Sequence, residues 1–414
     1  MNDTAKSLPF PTAISVGEAQ ERAIALGRAR RTPAGRVSLD AALGRTLARD
    51  VTGDIDVPGF ANSAMDGFAL RGADLPVAGE RAFALVGTRL AGDGRAAAVG
   101  EGECLRITTG APLPRGADTV VIKENVRVEG DRVVVRAGEQ AGANVRPAGE
   151  DYRAGEFAFA AGTRLTPARV GVLASFGLVD VDVAAAPRAV VLTTGDEVVA
   201  PGVPLEAGQI YNSNRYSIGG LLRSAGANVV RHEHVRDDPA ALEDALRRAA
   251  RDADVVLTSG GVSAGEADFL PSLVQRIGRV EFWKVRIKPG MPLLCGEVDG
   301  ALLFALPGNP VSGMATFLTM VRPALAAMTG AATATAPWYA RVAVPIVKNH
   351  RRAEYQRARC ESRPDGSLWV TPFPRQGSGV LRSVAEADCL IVLPEDMQAL
   401  AVGDCVELLH LPDV

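Results

Sequence analysis

The chain has 414 residues, 47% hydrophobic and 22% charged, with a formal net charge of −3. That length holds roughly two to four domains, and a slightly acidic balance excludes a general nucleic-acid binder, because no basic stripe exists to neutralise a phosphate backbone. No uninterrupted apolar run reaches membrane length, since Met314 to Met328 is broken by Arg322-Pro323.

Met1 to Lys6 lacks the charged-then-apolar order of a signal peptide. Five dispersed cysteines (Cys104, Cys295, Cys360, Cys389, Cys405) form no C-x-x-C pair. That pattern reads as reduced thiols in a cytoplasmic protein. From the N-terminus, Ser15 or Gly17 opens a helical run to about Arg31, and Ser38 to Leu47 reads as a second short helix. From Val51 the texture turns β-rich. Arg81 to Leu90, Glu103 to Thr108, Asp118 to Val128 and Arg132 to Ala137 read as strands, the last two joined as a hairpin at Glu129-Gly130-Asp131. A helix returns at Thr166-Pro167, with Thr166 as N-cap and Gly177 at the stop.

Between Ala189 and Gly330, apolar strands alternate with helices. The strands are Ala189 to Leu192, Val229 to Val235, Val255 to Leu257, Val280 to Ile287 and Ala301 to Ala305, and Leu242, Ala245, Leu246, Ala249 and Ala250 line one helix face. This is the pattern of a doubly wound, mostly parallel α/β sheet, whose ligands bind beyond the carboxyl ends of the strands. His232 and His234 share a strand face, but no cysteine or carboxylate at ligand spacing supports a metal there. After Pro337, strands near Tyr339 to Val347, Glu354 to Glu361, Leu368 to Thr371, Cys389 to Leu393 and Cys405 to His410 fit a small β-barrel or sandwich.

The chemistry clusters at strand ends. Thr193-Thr194-Gly195-Asp196-Glu197 follows the first α/β strand, and Thr258 to Asp268, including Gly260, Gly261 and Ser263, follows the third. Gly308-Asn309-Pro310-Val311-Ser312 follows the fifth. Glycines let backbone approach a ligand, and chained N–H groups cradle phosphate. Asn309 reads as an N-cap with Pro310 in the first turn, leaving the N–H groups of Val311 and Ser312 and the Ser312 hydroxyl to face an anion. Of 45 Lys and Arg residues only five are lysines, and two of them, Lys284 and Lys288, flank Arg286 on the fourth strand. In an alternating strand these three cations share a face and need negative charge among them. Carboxylates beside such a pocket point to Mg²⁺ shared with phosphate oxygens.

Seven motifs in order resemble the molybdopterin molybdenumtransferase (molybdenum insertase) family, to which the gephyrin E domain belongs. They are Asn62 to Ala69, Arg106 to Pro112, Gly149-Glu150-Asp151, Thr194 to Glu197, Ser259 to Asp268, Lys284 to Gly290 and Leu306 to Ser312. The resemblance implies an elongated helical domain in two pieces (1–50 and 144–186), an inserted β-rich domain (51–143), the α/β domain (187–334) and a C-terminal β domain (335–414). It also implies a head-to-tail homodimer, with a cleft between the α/β domain of one subunit and the inserted domain of the other.

By that resemblance the substrates are adenylylated molybdopterin and molybdate. The metal moves onto the dithiolene sulfurs and AMP leaves with the help of Mg²⁺. Asp66, Thr109, Asp151, Glu197, Asp268, Lys284 and Lys288 would be catalytic. Gly260, Gly261, Ser263, Asn309, Ser312, Arg357 and Ser378 would bind substrate. Glu197, Asp237 or Asp238, and Asp268 would hold the metal. Arg286 and Met291 depart from the family pattern beside the lysines and bear on molybdate versus tungstate preference. No fused adenylyltransferase domain is present, so a separate molybdopterin adenylyltransferase and recipient apo-molybdoenzymes are the implied partners. The rival readings are a molybdopterin adenylyltransferase-like enzyme, which would be a single compact domain, and a gephyrin-like scaffold for a partner peptide.

Overall fold

The structure, a computed structural model, describes residues 9–261, 269–333 and 336–411, so Ser263 and Asp268 lie outside the described residues. Seven strands form its central sheet. Their order is Thr12–Ile14, Gly278–Val285, Leu294–Val298, Ala301–Leu306, Val255–Ser259, Arg188–Thr194, Asn228–Val235. Side chains alternate between two apolar faces. Val191, Leu257, Phe304 and Leu306 join one core cluster, while Val190, Leu192, Val256 and Ala305 join the other. A sheet buried on both faces explains the near-continuous apolar runs in the sequence.

Helices Pro239–Asp252 and Phe269–Ile277 cover the second face. The predicted stripe Leu242, Ala245, Leu246, Ala249 and Ala250 is buried there. Helices Val16–Arg28 and Asn214–Ser224 and the helix from Pro310 to Thr329 cover the first. Ser15 Oγ accepts the Glu18 N–H at 3.2 Å, capping the N-terminal helix as expected. The 20-residue helix Pro310–Thr329 is apolar enough to cross a membrane, but 78% of its apolar window is buried inside the protein. Its middle turn, Phe317–Val321, is π-helical, next to Pro323, which has no N–H to continue the α ladder.

The sheet differs from the expected one in two strands absent from the sequence pattern, Thr12–Ile14 at its edge and Leu294–Val298 inside it. Leu294–Val298 pairs antiparallel with both neighbours, and the other four strand pairs are parallel. It turns into Ala301–Leu306 through Asp299-Gly300, both at positive φ (45° and 88°), the geometry of a tight hairpin. The two reversals cancel. Gly278–Val285 therefore runs in the same direction as Ala301–Leu306, and its carboxyl end lies on the same sheet edge as Thr194, Ser259 and Leu306.

Two other expectations are corrected. Ser38 to Leu47 is not a helix: Ala34–Ser38 pairs with Asp180–Ala184, and a single 3₁₀ turn, Leu39–Ala41, follows. Gly44 at φ 75° and a bridge from Leu47 to Val183 override the helix propensity of this alanine-rich stretch. Asp118 to Val128 is two strands, Thr119–Ile122 and Val126–Glu129, separated by the 3₁₀ turn Lys123–Asn125. Both belong to a six-stranded sheet with Gly67–Leu70, Glu103–Ile107, Glu80–Arg89 and Arg132–Arg136. The expected hairpin is there, with Glu129 opposite Arg132 and Gly130 at φ 62°. Helix Pro167–Ser175 has its expected cap at Thr166, and Gly177 follows it at φ 77°.

At the C-terminus Trp338–Val342, Ala353–Ser362, Leu368–Pro372, Cys389–Leu393 and Cys405–His410 close into a five-stranded barrel, because Ala353–Ser362 pairs with both Leu368–Pro372 and Cys389–Leu393. Ile287–Lys288 adds to its edge in parallel, setting Lys288 opposite Glu354. That pairing fastens the barrel to the catalytic-looking edge of the sheet. The five cysteines are free, but two of those scattered in sequence meet, with Cys360 and Cys389 Sγ 3.4 Å apart in the barrel.

Candidate active site at the carboxyl edge of the sheet

Strand register lays out the edge. Trp283, Leu294, Ala305, Thr258 and Leu192 stand level on adjacent strands. At about 4.8 Å per strand spacing, the ends carrying Lys284 and Thr194 are roughly 19 Å apart. The edge is therefore wide enough for an extended ligand.

Its middle is built from close backbone. Gly260 and Gly261 are left-handed (φ 97° and 71°), and a Cβ on Gly260 would stand 2.6 Å from Thr194 Oγ1 and 3.0 Å from Thr194 O. Only glycine fits there. Gly308 packs against Gly260 Cα in turn. Asn214 Nδ2 donates to Ser259 Oγ at 2.8 Å and to Gly308 O at 2.6 Å, stitching the loops of three segments together. Asn212 Nδ2 donates to Thr193 Oγ1 at 2.8 Å. Thr194 Oγ1 and Asn214 Oδ1 are buried without a protein partner, a state that costs about 1–3 kcal/mol per group unless a ligand or water satisfies it. The two asparagines were missed in the sequence. Their signal is Asn212-Ser213-Asn214 opening a helix just after a short strand.

The cations do not share one face. Lys284 has φ 62°, and this left-handed residue shifts the alternation. Phe282 and Val285, three apart, both enter the first core, while Trp283 enters the second. Arg286 turns to Glu395, with Nε 2.7 Å from Oε2 and Nη1 donating to Ala13 O. Lys288 Nζ lies 3.0 Å from Glu354 Oε1. The negative charge that the cluster needs comes from the barrel, but it reaches only two of the three. Lys284 Nζ sits 3.9 Å from the Trp283 ring centroid and has no carboxylate partner among the described residues.

The acids lie at the other end of the edge. Glu197 and Asp237 are exposed, with no partner for either carboxylate among the described residues. Their loops touch where the Asp237 N–H donates to Asp196 Oδ1 at 3.3 Å. Asp238, by contrast, caps helix Pro239–Asp252, its Oδ1 accepting the Ala241 N–H at 2.7 Å. Among the described residues no three His, Cys, Asp or Glu side chains cluster at ligand distance.

The helix start is partly occupied by the barrel. Asn309 is the N-cap residue, but its side chain makes no capping bond, and Pro310 follows in the first turn. The Val311 N–H was expected to face an anion; it donates instead to Ser378 O at 3.2 Å. Ser312 is buried beside it. Arg357, 1% exposed, spends its guanidinium on Ser383 Oγ, Arg375 O and Gly377 O, so it shapes the loop that carries Ser378. Gln376, unnoticed in the sequence, brackets the same loop by accepting the Arg357 N–H and donating to Arg357 O and Phe373 O.

Asp66 and Thr109 meet elsewhere. Asp66 Oδ1 accepts both the Thr109 N–H at 2.9 Å and its hydroxyl at 3.0 Å, and Lys123 Nζ is 3.6 Å from Oδ2. These donors hold the Asp66 carboxyl below the usual aspartate range. Asp151 is exposed, and its N–H donates to Val57 O. Among the described residues no hydrogen bond or ion pair joins Asp66, Thr109 or Asp151 to the sheet edge.

The chain matches three family models: the MoeA N-terminal region (domain I and II) over residues 14–177, a probable molybdopterin binding domain over 190–327, and the MoeA C-terminal region (domain IV) over 339–411. It is 34% identical over 375 residues to a molybdopterin molybdenumtransferase of Haemophilus influenzae, covering 90% of this chain and 92% of that one. It is 35% identical over 393 residues to molybdopterin molybdenumtransferase 2 of Mycobacterium tuberculosis, covering 91% and 94%. A solved molybdopterin biosynthesis moeA protein from Pyrococcus horikoshii aligns with TM-score 0.81 and 27% identity over 97% of this chain and 100% of that one.

Proposed function

This chain belongs to the molybdopterin molybdenumtransferase family, and we propose that it moves molybdenum from molybdate onto adenylylated molybdopterin, with release of AMP. The observation that carries the reading is the common edge. Thr194, Gly260-Gly261, Gly308 and Lys284 stand at the ends of co-directed strands across a span of roughly 19 Å, with Asn214 bridging the middle loops and buried polar atoms left for a ligand.

In this reading the glycine backbone and Asn214 seat the pterin and its phosphates, while Thr194 offers a hydroxyl to them. Lys284, without a counter-charge among the described residues, attracts the oxyanion, and Lys288, shared with Glu354, orients it. Ser312, Asn309 and Ser378 close the same corner, and Arg357 positions the Ser378 loop. Glu197 and Asp237 fit a magnesium ion, since both are free, hard oxygen donors on touching loops. Bound there, the ion would neutralise charge growing on the departing phosphate. Asp238 is the weaker candidate because its oxygen caps a helix. Asp268 and Ser263 keep the roles implied by family resemblance.

Asp66, Thr109 and Asp151 make no contact with this edge within the chain, so a second copy in a homodimer would supply them. The depressed carboxyl of Asp66 stays anionic throughout the working pH range. A separate adenylyltransferase would deliver the substrate, and apo-molybdoenzymes in the cytoplasm would take the product.

The test combines purified protein with adenylylated molybdopterin, Mg²⁺ and molybdate, and measures AMP release together with reconstitution of an apo-molybdoenzyme. Wild type does both, and Glu197→Gln loses the Mg²⁺ dependence of AMP release. A wild-type protein that binds the pterin but stays inert with molybdate would sink the proposal.

A further inference from the structure

A second concavity lies at the opposite edge of the sheet. A cavity of about 660 Å³ is lined by Arg45, Arg164, Arg169 and Arg322. Ala184, Ala186, Ala225 and Gly226 also line it, and they immediately precede the strands Arg188–Thr194 and Asn228–Val235. It therefore faces the amino ends of those strands, about 20 Å of strand away from Thr194.

Among the described residues no carboxylate lines it, although the chain carries 48 acidic residues. Three of the guanidiniums are aimed by carbonyls: Arg45 Nη2 donates to Ala184 O at 2.8 Å, Arg164 Nη2 to Ser224 O at 3.1 Å, and Arg169 Nη1 to Arg164 O at 2.6 Å. The Arg322 guanidinium has no hydrogen-bond or ion-pair partner among the described residues. Its pKa lies below the ordinary arginine value through burial alone, with no carboxylate raising it. Gathering four like charges around a partly dry hollow is unfavourable unless an anion completes it. Planar guanidinium forks match phosphate oxygens, and the volume is that of a small-molecule site.

We propose that this cavity binds a small, multiply charged phosphate-bearing molecule, separate from the site on the carboxyl edge. Arg45 and Arg164 come from segments on either side of the β-rich sheet, and Arg322 from the long helix of the α/β unit. The bound anion ties these segments together, so occupancy stiffens the joint between them.

The test is calorimetric titration of the full chain with inorganic pyrophosphate, without Mg²⁺ and at fixed ionic strength set by chloride. Lys284→Met removes the Lys284 cation from the proposed cleft and serves as the background. Binding persists in Lys284→Met, weakens at least about tenfold on adding Arg322→Met or Arg169→Gln, and raises the thermal midpoint only where Arg322 is intact. Arg322→Met keeps the stem volume and removes an uncompensated charge, so its ligand-free midpoint is no lower than wild type. Pyrophosphate binding that disappears in Lys284→Met, or that survives both arginine substitutions, overturns the proposal. So does a lower ligand-free midpoint in Arg322→Met, which would make that guanidinium a structural strut.

Discussion

The Val311 N–H donates to the carbonyl of Ser378 across 3.2 Å, joining the first turn of the long helix to a loop of the C-terminal barrel. The loop has little regular structure of its own. Gln376 holds it by accepting from the Arg357 N–H and donating to Arg357 O and Phe373 O, each within 3.1 Å. Gln376→Ala removes all three bonds, at a cost of about 1–3 kcal/mol. Urea unfolding should show that loss, and molybdenum insertion should fall by a larger factor than pterin binding. Pterin binding that falls as far as insertion would show that the loop supports the whole edge rather than its anion corner.

The two adjacent glycines are not equivalent. Gly260→Ala places a methyl 2.6 Å from Thr194 Oγ1 at φ 97°, whereas Gly261→Ala meets that atom only at 3.4 Å at φ 71°. The second change carries the left-handed penalty of about 1 kcal/mol. The first adds a steric clash with a neighbouring strand end, so its loss should exceed roughly 2 kcal/mol. Chemical denaturation and pterin affinity, measured side by side, check the ranking. Equal effects would mean that the contact between the Thr194 and Gly260 loops relaxes freely.

Local chemistry made much of this site legible in the sequence. Gly260-Gly261, Asn309-Pro310 and the lysines announce themselves because glycine freedom, proline geometry and charge are properties of single residues. What escaped depends on partners distant in the chain. The strand Leu294–Val298 needed its hairpin with Ala301–Leu306 to be recognised, although Asp299-Gly300 was the signal. The common face assigned to Lys284, Arg286 and Lys288 failed because one left-handed residue resets the alternation. The engagement of Val311 and Arg357 with the 375–378 loop could not be read without the barrel docked. Asn214 went unread, and its two long-range bonds reveal it.

Lys284 and Lys288 should separate in a stability measurement. Lys288 faces Glu354, whose carboxylate is buried, so Lys288→Met strands a desolvated anion. The loss should be on the order of 1–3 kcal/mol, and Glu354→Gln in the same chain should recover most of it. Among the described residues Lys284 has only the face of Trp283, so Lys284→Met should cost less than about 1 kcal/mol. Both single variants should lose insertion activity, and the double variant should regain stability without activity. A double variant that also regains activity would make Lys288 a structural counter-ion and remove it from the proposed chemistry.

Acid should weaken this fold through its histidines before its carboxylates. His232 has its pKa held down first by burial, then by the nearby charges of Arg215 and Arg223, and its Nδ1 is buried without a partner. Gly219 of the covering helix packs against the ring. His350 is depressed in the same direction, by burial ahead of the opposing pull of Glu354. A folded-state pKa below the unfolded one means that the unfolded chain takes up a proton the native chain refuses. Their contribution is therefore intact above the ordinary histidine value of 6.5 and declines as pH falls below it. The thermal midpoint should drop between pH 7 and pH 5, and His232→Gln, which cannot charge, should flatten that drop. NMR titration of the His232 ring should give a midpoint below that of an exposed histidine. A midpoint at or above it would show that the strand opens enough to hydrate the ring.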